Sequence, residues 1–396
     1  MMPSLRDPEL LPWLARMRAE APVWADEQGT WHVFRHADAQ AILADPRRFS
    51  SDFGRAMPFL GEDKLSANLS WADPPRHRPL RQLVNHAFTP AAVLGLRGCL
   101  TDVATELVAA LAGGEFDLVE ALAYPLPITA IAQLLGIDPA DRAFFRECAD
   151  RSLGLRVEPG TSQAELAAMV NEATKDLDGY LTEQVRHRRA RPGDDLLTAL
   201  IAGELNDGQV AAFATTLLTA GYVTTTLLIG NALLCLRDNP DVARELRADR
   251  TLIPGAIEEV LRIRSSVVRA HRLTTEEVVV AGATIPANTL VMVWLLSANN
   301  DERRFTEPER FDPRRDAGRH IAFGHGIHFC LGAPLVRLET EIALNLLFDA
   351  FAELRIGTDI VFHESEFVGP RRLPVSGIRS QTADLSWTDG HAGSVR

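Results

Sequence analysis

The spacing of apolar positions points first to helices. Leu331, Leu335, Leu338 and Ile342 recur at gaps of four, three and four, laying one apolar stripe along a helix over Leu331 to Phe351. The same Ala/Leu/Arg/Glu-rich spacing predicts helices over Leu100 to Leu111, Ala164 to Arg189 and Val242 to Ile263. Strand signals are fewer. Val23-Trp24 and Trp31-His32-Val33-Phe34 flank the turn Asp26-Glu27-Gln28-Gly29 and predict a hairpin. A second β patch covers Val278-Val279-Val280 and Thr289-Leu290-Val291-Met292, around the turn residues Gly282 and Pro286-Ala287-Asn288. The pattern predicts a mostly α chain with small β elements. No linker, repeat or Gly/Ser tract divides positions 1–381, so a single domain is expected there, followed by a disordered polar tail over 382–396.

One stretch breaks the amphipathic rule. Val210 to Leu236 holds no charged residue and is long enough to span a bilayer. Its threonines, together with Gly221, Gly230 and Asn231, and the lack of a basic flank predict instead a long helix buried through a soluble protein. The first twenty residues carry no signal-peptide apolar core, and charges interrupt them from Arg6 onward, so a cytoplasmic protein is expected.

Composition narrows the function. The chain has 396 residues and a formal net charge of −12, from 41 Lys+Arg against 53 Asp+Glu, which argues against a nucleic-acid footprint. Only Lys64 and Lys175 are lysines, and no G-x-x-x-x-G-K string is present, so a P-loop is excluded. Cys99, Cys148, Cys235 and Cys330 are too scattered for a disulfide scaffold or a zinc ribbon.

Cys330 stands apart from the other three. It lies in the string Phe323-Gly324-His325-Gly326-Ile327-His328-Phe329-Cys330-Leu331-Gly332, where two glycines permit a tight turn and an amphipathic helix follows. A thiol at that helix start meets the positive end of the dipole and free N–H donors, which favours the thiolate that a haem iron needs. Other readings of the string are a core cysteine, a zinc ion held by His325, His328 and Cys330, and a dinucleotide loop. No further Cys/His cluster completes a zinc site, and Phe329 stands where the third glycine of a dinucleotide loop belongs.

The whole string from Phe323 to Gly332 resembles the haem-binding signature F-G-x-G-x-[H/R]-x-C-x-G of the cytochrome P450 family. Further motifs resemble that family in its order. Glu259-Val260-Leu261-Arg262 resembles its E-x-x-R helix, and Pro308-Glu309-Arg310-Phe311 the segment whose arginine joins that pair. Asp73-Pro74-Pro75-Arg76-His77-Arg78-Pro79-Leu80-Arg81 resembles the stretch that reaches the haem propionates. Ala220-Gly221-Tyr222-Val223-Thr224-Thr225 resembles the oxygen-binding part of the central helix, but Val223 replaces the usual acid.

The resemblance implies a single triangular haem-binding domain with a long central helix. It implies a monooxygenase carrying heme b with Cys330 as the axial iron ligand, and His77, Arg81, Arg272, Phe323, His328 and Gly332 around the cofactor. Glu259, Arg262 and Arg310 would form a structural triad. Gly221, Val223 and Thr224 would mark the oxygen site, the glycine opening the backbone and the threonine hydroxyl orienting water; with no acid at Val223, ordered water or a polar group of the substrate would deliver protons. Leu217, Ala220, Val267, Val268, Phe367 and the loop from Phe59 to Trp71 would line a hydrophobic substrate pocket. Ser265 and Ser266 hint at hydrogen bonding in it.

Electrons would come from a ferredoxin and its reductase, because no flavin or nicotinamide segment is present. Arg76, Arg78, Arg314, Arg315, Arg319 and Arg337 would steer that partner. A monomer acting with O2 on a small molecule is implied, with neither nucleic acid nor membrane as partner. A macrolide-like antibiotic intermediate is the favoured substrate. Oxidation or coupling of a cyclic peptide or aromatic dipeptide is the alternative, and peroxygenase chemistry or a haem sensor the more distant ones.

Overall fold

The computed structural model describes residues 2–5, 7–53, 68–111, 113–152, 163–203, 205–316, 319–363 and 367–380. The tail expected over 382–396 and the pocket loop from Phe59 to position 67 lie outside these. The helical core is built around Asp207–Asp238, a helix of 32 residues. It starts at a capping box in which Asn206 accepts from the Gln209 amide and Gln209 from the Asn206 amide. Its most apolar window is 72% buried among the protein's other elements, which accounts for the absence of charge there. Helices Pro125–Leu134, Gln163–Ala190, Ile253–Ile263 and Ala333–Ala350 pack against it.

The single helix expected over Val242 to Ile263 is two helices, Pro240–Ala248 and Ile253–Ile263, with a 3-10 turn at Arg250–Leu252 between them. Asp249 explains the break: its carboxylate accepts from the Thr251 amide and hydroxyl, so the backbone finds partners outside a helix. The helix Ala333–Ala350 ends two residues after Phe348 because Phe351 opens a strand.

The strands are β1 (Val23–Ala25), β2 (Trp31–Val33), β3 (Phe49–Ser50), β4 (Gly114–Asp117), β5 (Ala270–Thr274), β6 (Val278–Val280), β7 (Ala283–Ile285), β8 (Leu290–Val293), β9 (Phe351–Ile356), β10 (Val361–Phe362), β11 (Pro370–Arg372) and β12 (Pro374–Arg379). The expected hairpin is β1–β2, with Val23 opposite Val33. The second β patch divides: β6 pairs with β7, whereas β8 joins β2 and β5 in a five-stranded sheet of order β1-β2-β8-β5-β3. Val291 and Val293 are fully buried in that sheet, which fixes its register against the helical layer. A three-stranded sheet β4-β12-β9 packs into the main core through Phe351 and Val375. The result is a mostly helical fold in which β5 and the helix ends converge on the Cys330 loop.

Candidate active site

The loop before Cys330 is shaped by one glycine in particular. Gly326 has φ +72°, and a side chain there would sit 2.5 Å from the Leu43 carbonyl oxygen. Only glycine adopts this conformation in this space without strain. The loop is closed by the Cys330 amide donating to Phe323 O at 2.9 Å and the Phe329 amide to Gly326 O at 3.1 Å. The helix Ala333–Ala350 then begins behind Gly332, its N-cap. The amides of Gly332 and Ala333 face the sulfur and, with Arg81 and Arg337, favour its anion. Burial works the other way and wins, so the thiol's pKa is raised rather than lowered, contrary to the expectation from the helix end alone. A thiolate at Cys330 therefore calls for a cation bound directly to the sulfur. Phe323 stacks beside this turn, its ring 6.1 Å from Phe329 and 4.7 Å from the Arg337 guanidinium.

Beside the cysteine lies a cradle of nitrogen donors from separate elements. His77 opens the helix His77–Asn85, Arg81 lies one turn further on, Arg272 comes from β5, and His328 precedes the cysteine. The rings of His77 and His328 meet edge-on at 4.7 Å. The Nε2 atoms of both are buried with no hydrogen-bond partner among the described residues. Burial, assisted by Arg272, His77 and Arg81, pulls the His328 pKa down to about 3, so that ring is neutral, and burial lowers that of His77. Arg272 is 8% exposed, and among the described residues its guanidinium donates only to the His271 carbonyl, at 2.7 Å. Burial lowers its pKa to about 10, against the opposing pull of Asp73. Arg81 donates to Ile327 O at 2.9 Å.

A buried guanidinium without a hydrogen-bonded carboxylate is costly unless a ligand brings the anion. Orphaned imidazole nitrogens beside it ask for hydrogen-bond partners. The cradle therefore fits a group carrying carboxylates at its edge and a cation over Cys330, which is the chemistry of haem. Asp73, from the same D-P-P stretch, serves the protein itself: it accepts from the Ser51 amide at 3.0 Å and from the Ser50 hydroxyl, tying β3 to the helix start.

The ion-pair network behind the site differs from the expected triad. Arg262 donates Nε to Glu259 Oε1 at 2.6 Å and Nη2 to Oε2 at 3.0 Å, and both side chains are 0% exposed. Arg310 joins only through its backbone carbonyl, which accepts from Arg262 at 3.2 Å; its own side chain is 63% exposed beside Glu307. The third charged member is Arg315, whose Nε donates to Glu259 Oε2 at 3.1 Å. It is the second arginine of the Phe311-Asp312-Pro313-Arg314-Arg315 string. The chain turns between Arg310 and Arg315, so adjacency in sequence did not indicate which would fold inward.

On the central helix, every residue from Thr225 to Leu236 is buried. Ala220 is exposed and Thr224 half-exposed one turn later, forming an open stripe. All three threonines from Thr224 to Thr226 donate to the carbonyl four residues back, at 3.2, 3.0 and 2.9 Å. Only Thr224 has its hydroxyl on the open side. Val223 is 3% exposed and belongs to the core. A side chain at Gly221 would meet Ile131 of the helix Pro125–Leu134 at 3.4 Å, so this glycine faces a neighbouring helix rather than the open stripe.

Of the expected pocket wall, Leu217 is 9% exposed, and Val267 forms an isolated antiparallel bridge with Phe367. Val268 is 0% exposed among Trp13, Phe34 and Trp294, and cannot line a pocket. The serines expected to face a ligand are used internally. Ser265 donates to Leu261 O and accepts from Asn299, and Ser266 donates to Thr224 O at 3.1 Å. The six steering arginines are mostly paired as well. Arg314 meets Glu245 at 2.6 Å, Arg315 Glu259 at 3.1 Å, Arg337 Glu258 at 2.6 Å, Arg319 Asp316 at 3.8 Å and Arg76 Asp52 at 3.9 Å. Among the described residues, Arg78 alone of the six has no such partner.

Comparison with known proteins places the chain in a family. Residues 155–359 match the model of the family described as Cytochrome P450. The chain is 42% identical to the erythromycin C-12 hydroxylase of Saccharopolyspora erythraea over 92% of its own length and 94% of that protein. It is 43% identical to the cyclomarin C epoxidase of Salinispora arenicola, covering 92% and 95%. The solved structure of the open cytochrome P450 EryK from S. erythraea superposes with a TM-score of 0.89 at 40% identity, covering 97% of this chain and all of that one. The chain belongs to the cytochrome P450 family, the haem-thiolate monooxygenases in which a cysteine ligates the haem iron and redox partners supply electrons for oxidation of small molecules by O2.

Proposed function

We propose that this chain oxidises a secondary-metabolite substrate, a macrolide-like intermediate in first place, with Cys330 as the axial ligand of its haem. The observation that carries the site is the buried Arg272 with no hydrogen-bonded carboxylate among the described residues, beside the orphaned Nε2 atoms of His77 and His328, next to a cysteine capped by the Gly332 and Ala333 amides. His77, Arg81, Arg272 and His328 hold the propionates, with Phe323 and Gly332 shaping the cysteine turn. When bound, the haem supplies the oxygen chemistry, and thiolate ligation favours O–O cleavage.

The protein contributes position and proton control. Thr224 spends its hydroxyl proton on Ala220 O, so its lone pairs face the open stripe and accept from ordered water there. With Val223 in the core, no carboxylate at that position relays protons. Water held at Thr224, or a polar group of the substrate, does so. Leu217, Ala220, Val267 and Phe367 present an apolar wall suited to a lipophilic ring system. The kinship with both a macrolide hydroxylase and an enzyme named for cyclomarin C keeps a cyclic peptide as the second candidate.

Electrons come from a ferredoxin and its reductase, acting on a monomer. The reading is tested by turnover of macrolide and cyclic-peptide panels under isotopic O2, with NAD(P)H and a ferredoxin system. Incorporation of one labelled oxygen into a macrolide is expected. Turnover confined to peptides would replace the substrate class, and turnover with peroxide alone would replace the electron source.

A further inference from the structure

Ser266 follows the E-x-x-R helix, in the segment that leads to β5, and its hydroxyl reaches across to the central helix. It donates to the carbonyl of Thr224 at 3.1 Å, a contact 42 positions apart in sequence. An interior helical carbonyl ordinarily serves only the amide four residues on, so this one has a second donor on its free lone pair. Asn231 repeats the contact two turns later, its Nδ2 donating to Arg264 O at 3.0 Å and Val368 O at 2.9 Å. Positions 224 and 231 share one helical face. The segment from Arg264 to Ser266 is therefore bonded along that face at both ends. The Val368 amide donates to Ser266 O at 2.9 Å, and Val267 bridges Phe367, so both segments of the expected pocket wall belong to the same hydrogen-bonded unit.

We propose that Ser266 is a positioning residue for Thr224, fixing the helix backbone at the threonine to the pocket-wall segment Ser266–Val267. Substrate pressing on Val267 and Phe367 is thereby felt at Thr224 through a single side-chain hydrogen bond. This rests on the role given to Thr224 above. The device suits this chain because Val223 offers no carboxylate to restrain the threonine from the helix itself.

The test compares Ser266→Ala, Ser266→Thr, Thr224→Ala and the double alanine variant as haem-loaded enzymes. Two readouts are taken: product formed per reducing equivalent, and amide exchange over residues 224–228. Ser266→Ala should raise exchange over that stretch by about fivefold, the effect of one neutral hydrogen bond. It should also lower coupling, with the CO-bound spectrum unchanged and the thermal midpoint lowered by no more than the loss of one such bond. Ser266→Thr, which keeps the hydroxyl, should restore both. The double variant should be no less coupled than Thr224→Ala, because both changes act through one residue. If Thr224→Ala uncouples and Ser266→Ala does not, the proposal fails while the role of Thr224 stands. If Thr224→Ala leaves coupling intact, that role and the proposal fall together. Unchanged exchange in Ser266→Ala overturns the backbone clamp in either case.

Discussion

Glu259 and Arg262 face each other one helical turn apart with neither side chain reaching solvent, joined by two hydrogen bonds of 2.6 and 3.0 Å. Arg262 also donates to Asn299 O at 3.0 Å and to Arg310 O, while Glu259 accepts from the Asp312 amide at 3.1 Å and from Arg315. The pair thus ties the helix Ile253–Ile263 to the chain that leads into the Cys330 loop. Removing Arg262 leaves a buried carboxylate short of its main partner, so Arg262→Ala should cost about 3–5 kcal/mol in denaturant unfolding. Arg310→Ala should cost no more than about 0.5 kcal/mol, because its exposed side chain pairs only with Glu307. A loss at Arg310 equal to that at Arg262 would restore the triad expected from the motif.

Gly326 and Gly324 both have φ +72°, yet their surroundings differ. A methyl group at Gly326 would press on the Leu43 carbonyl, whereas at Gly324 nothing lies nearer than 3.7 Å. Gly326→Ala should therefore lower the thermal midpoint and loosen haem retention more than Gly324→Ala does, by a margin of about 1–3 kcal/mol. Equal effects would mean that backbone conformation alone dictates these glycines.

Glu258 binds Arg337 through both oxygens, at 2.6 and 2.9 Å, and His320 approaches it to 3.3 Å. Burial alone would raise its pKa, but these partners outweigh burial and hold it at about 2, below the ordinary 4.5. A lowered folded-state pKa stabilises above the unfolded value, and the gain disappears as pH falls through the folded one. Glu258→Gln should lose about 2–3 kcal/mol near neutral pH, and the loss should shrink from about pH 4.5 down to about pH 2. A gap independent of pH would rule out the ion pair as its source.

The family acid cannot simply be restored at position 223. Val223 is 3% exposed within the main core, so Val223→Asp would bury a carboxyl group among apolar neighbours. A loss of about 2–4 kcal/mol is expected, with no gain in product per reducing equivalent. Improved coupling in a stable Val223→Asp protein would show that this position faces the reaction after all.

Local signals carried much of this structure. The cysteine loop, the long uncharged helix, the hairpin β1–β2 and the helix after Cys330 follow from glycine placement and apolar spacing. What was hidden depended on chain reversals. Arg315 and Arg310 stand five residues apart in one turn, and only the path of that turn decides which guanidinium goes inward. Val267 and Val268 are neighbours, yet Val267 bridges Phe367 while Val268 is 0% exposed among Trp13, Phe34 and Trp294. The Ser266–Thr224 contact joins remote segments and leaves no spacing to read. The thiol of Cys330 shows a related limit: helix position argued for a lowered pKa, and burial, invisible in the sequence, reversed it.

The most direct measurement is the Soret absorption of the reduced, CO-bound protein, compared between the natural chain and Cys330→Ala, with Cys99→Ala, Cys148→Ala and Cys235→Ala as controls. A strongly red-shifted band that survives the three controls and vanishes in Cys330→Ala is expected for thiolate ligation by Cys330. A band at the position of histidine-ligated haem in the natural chain, or a red-shifted band that persists in Cys330→Ala, would contradict it.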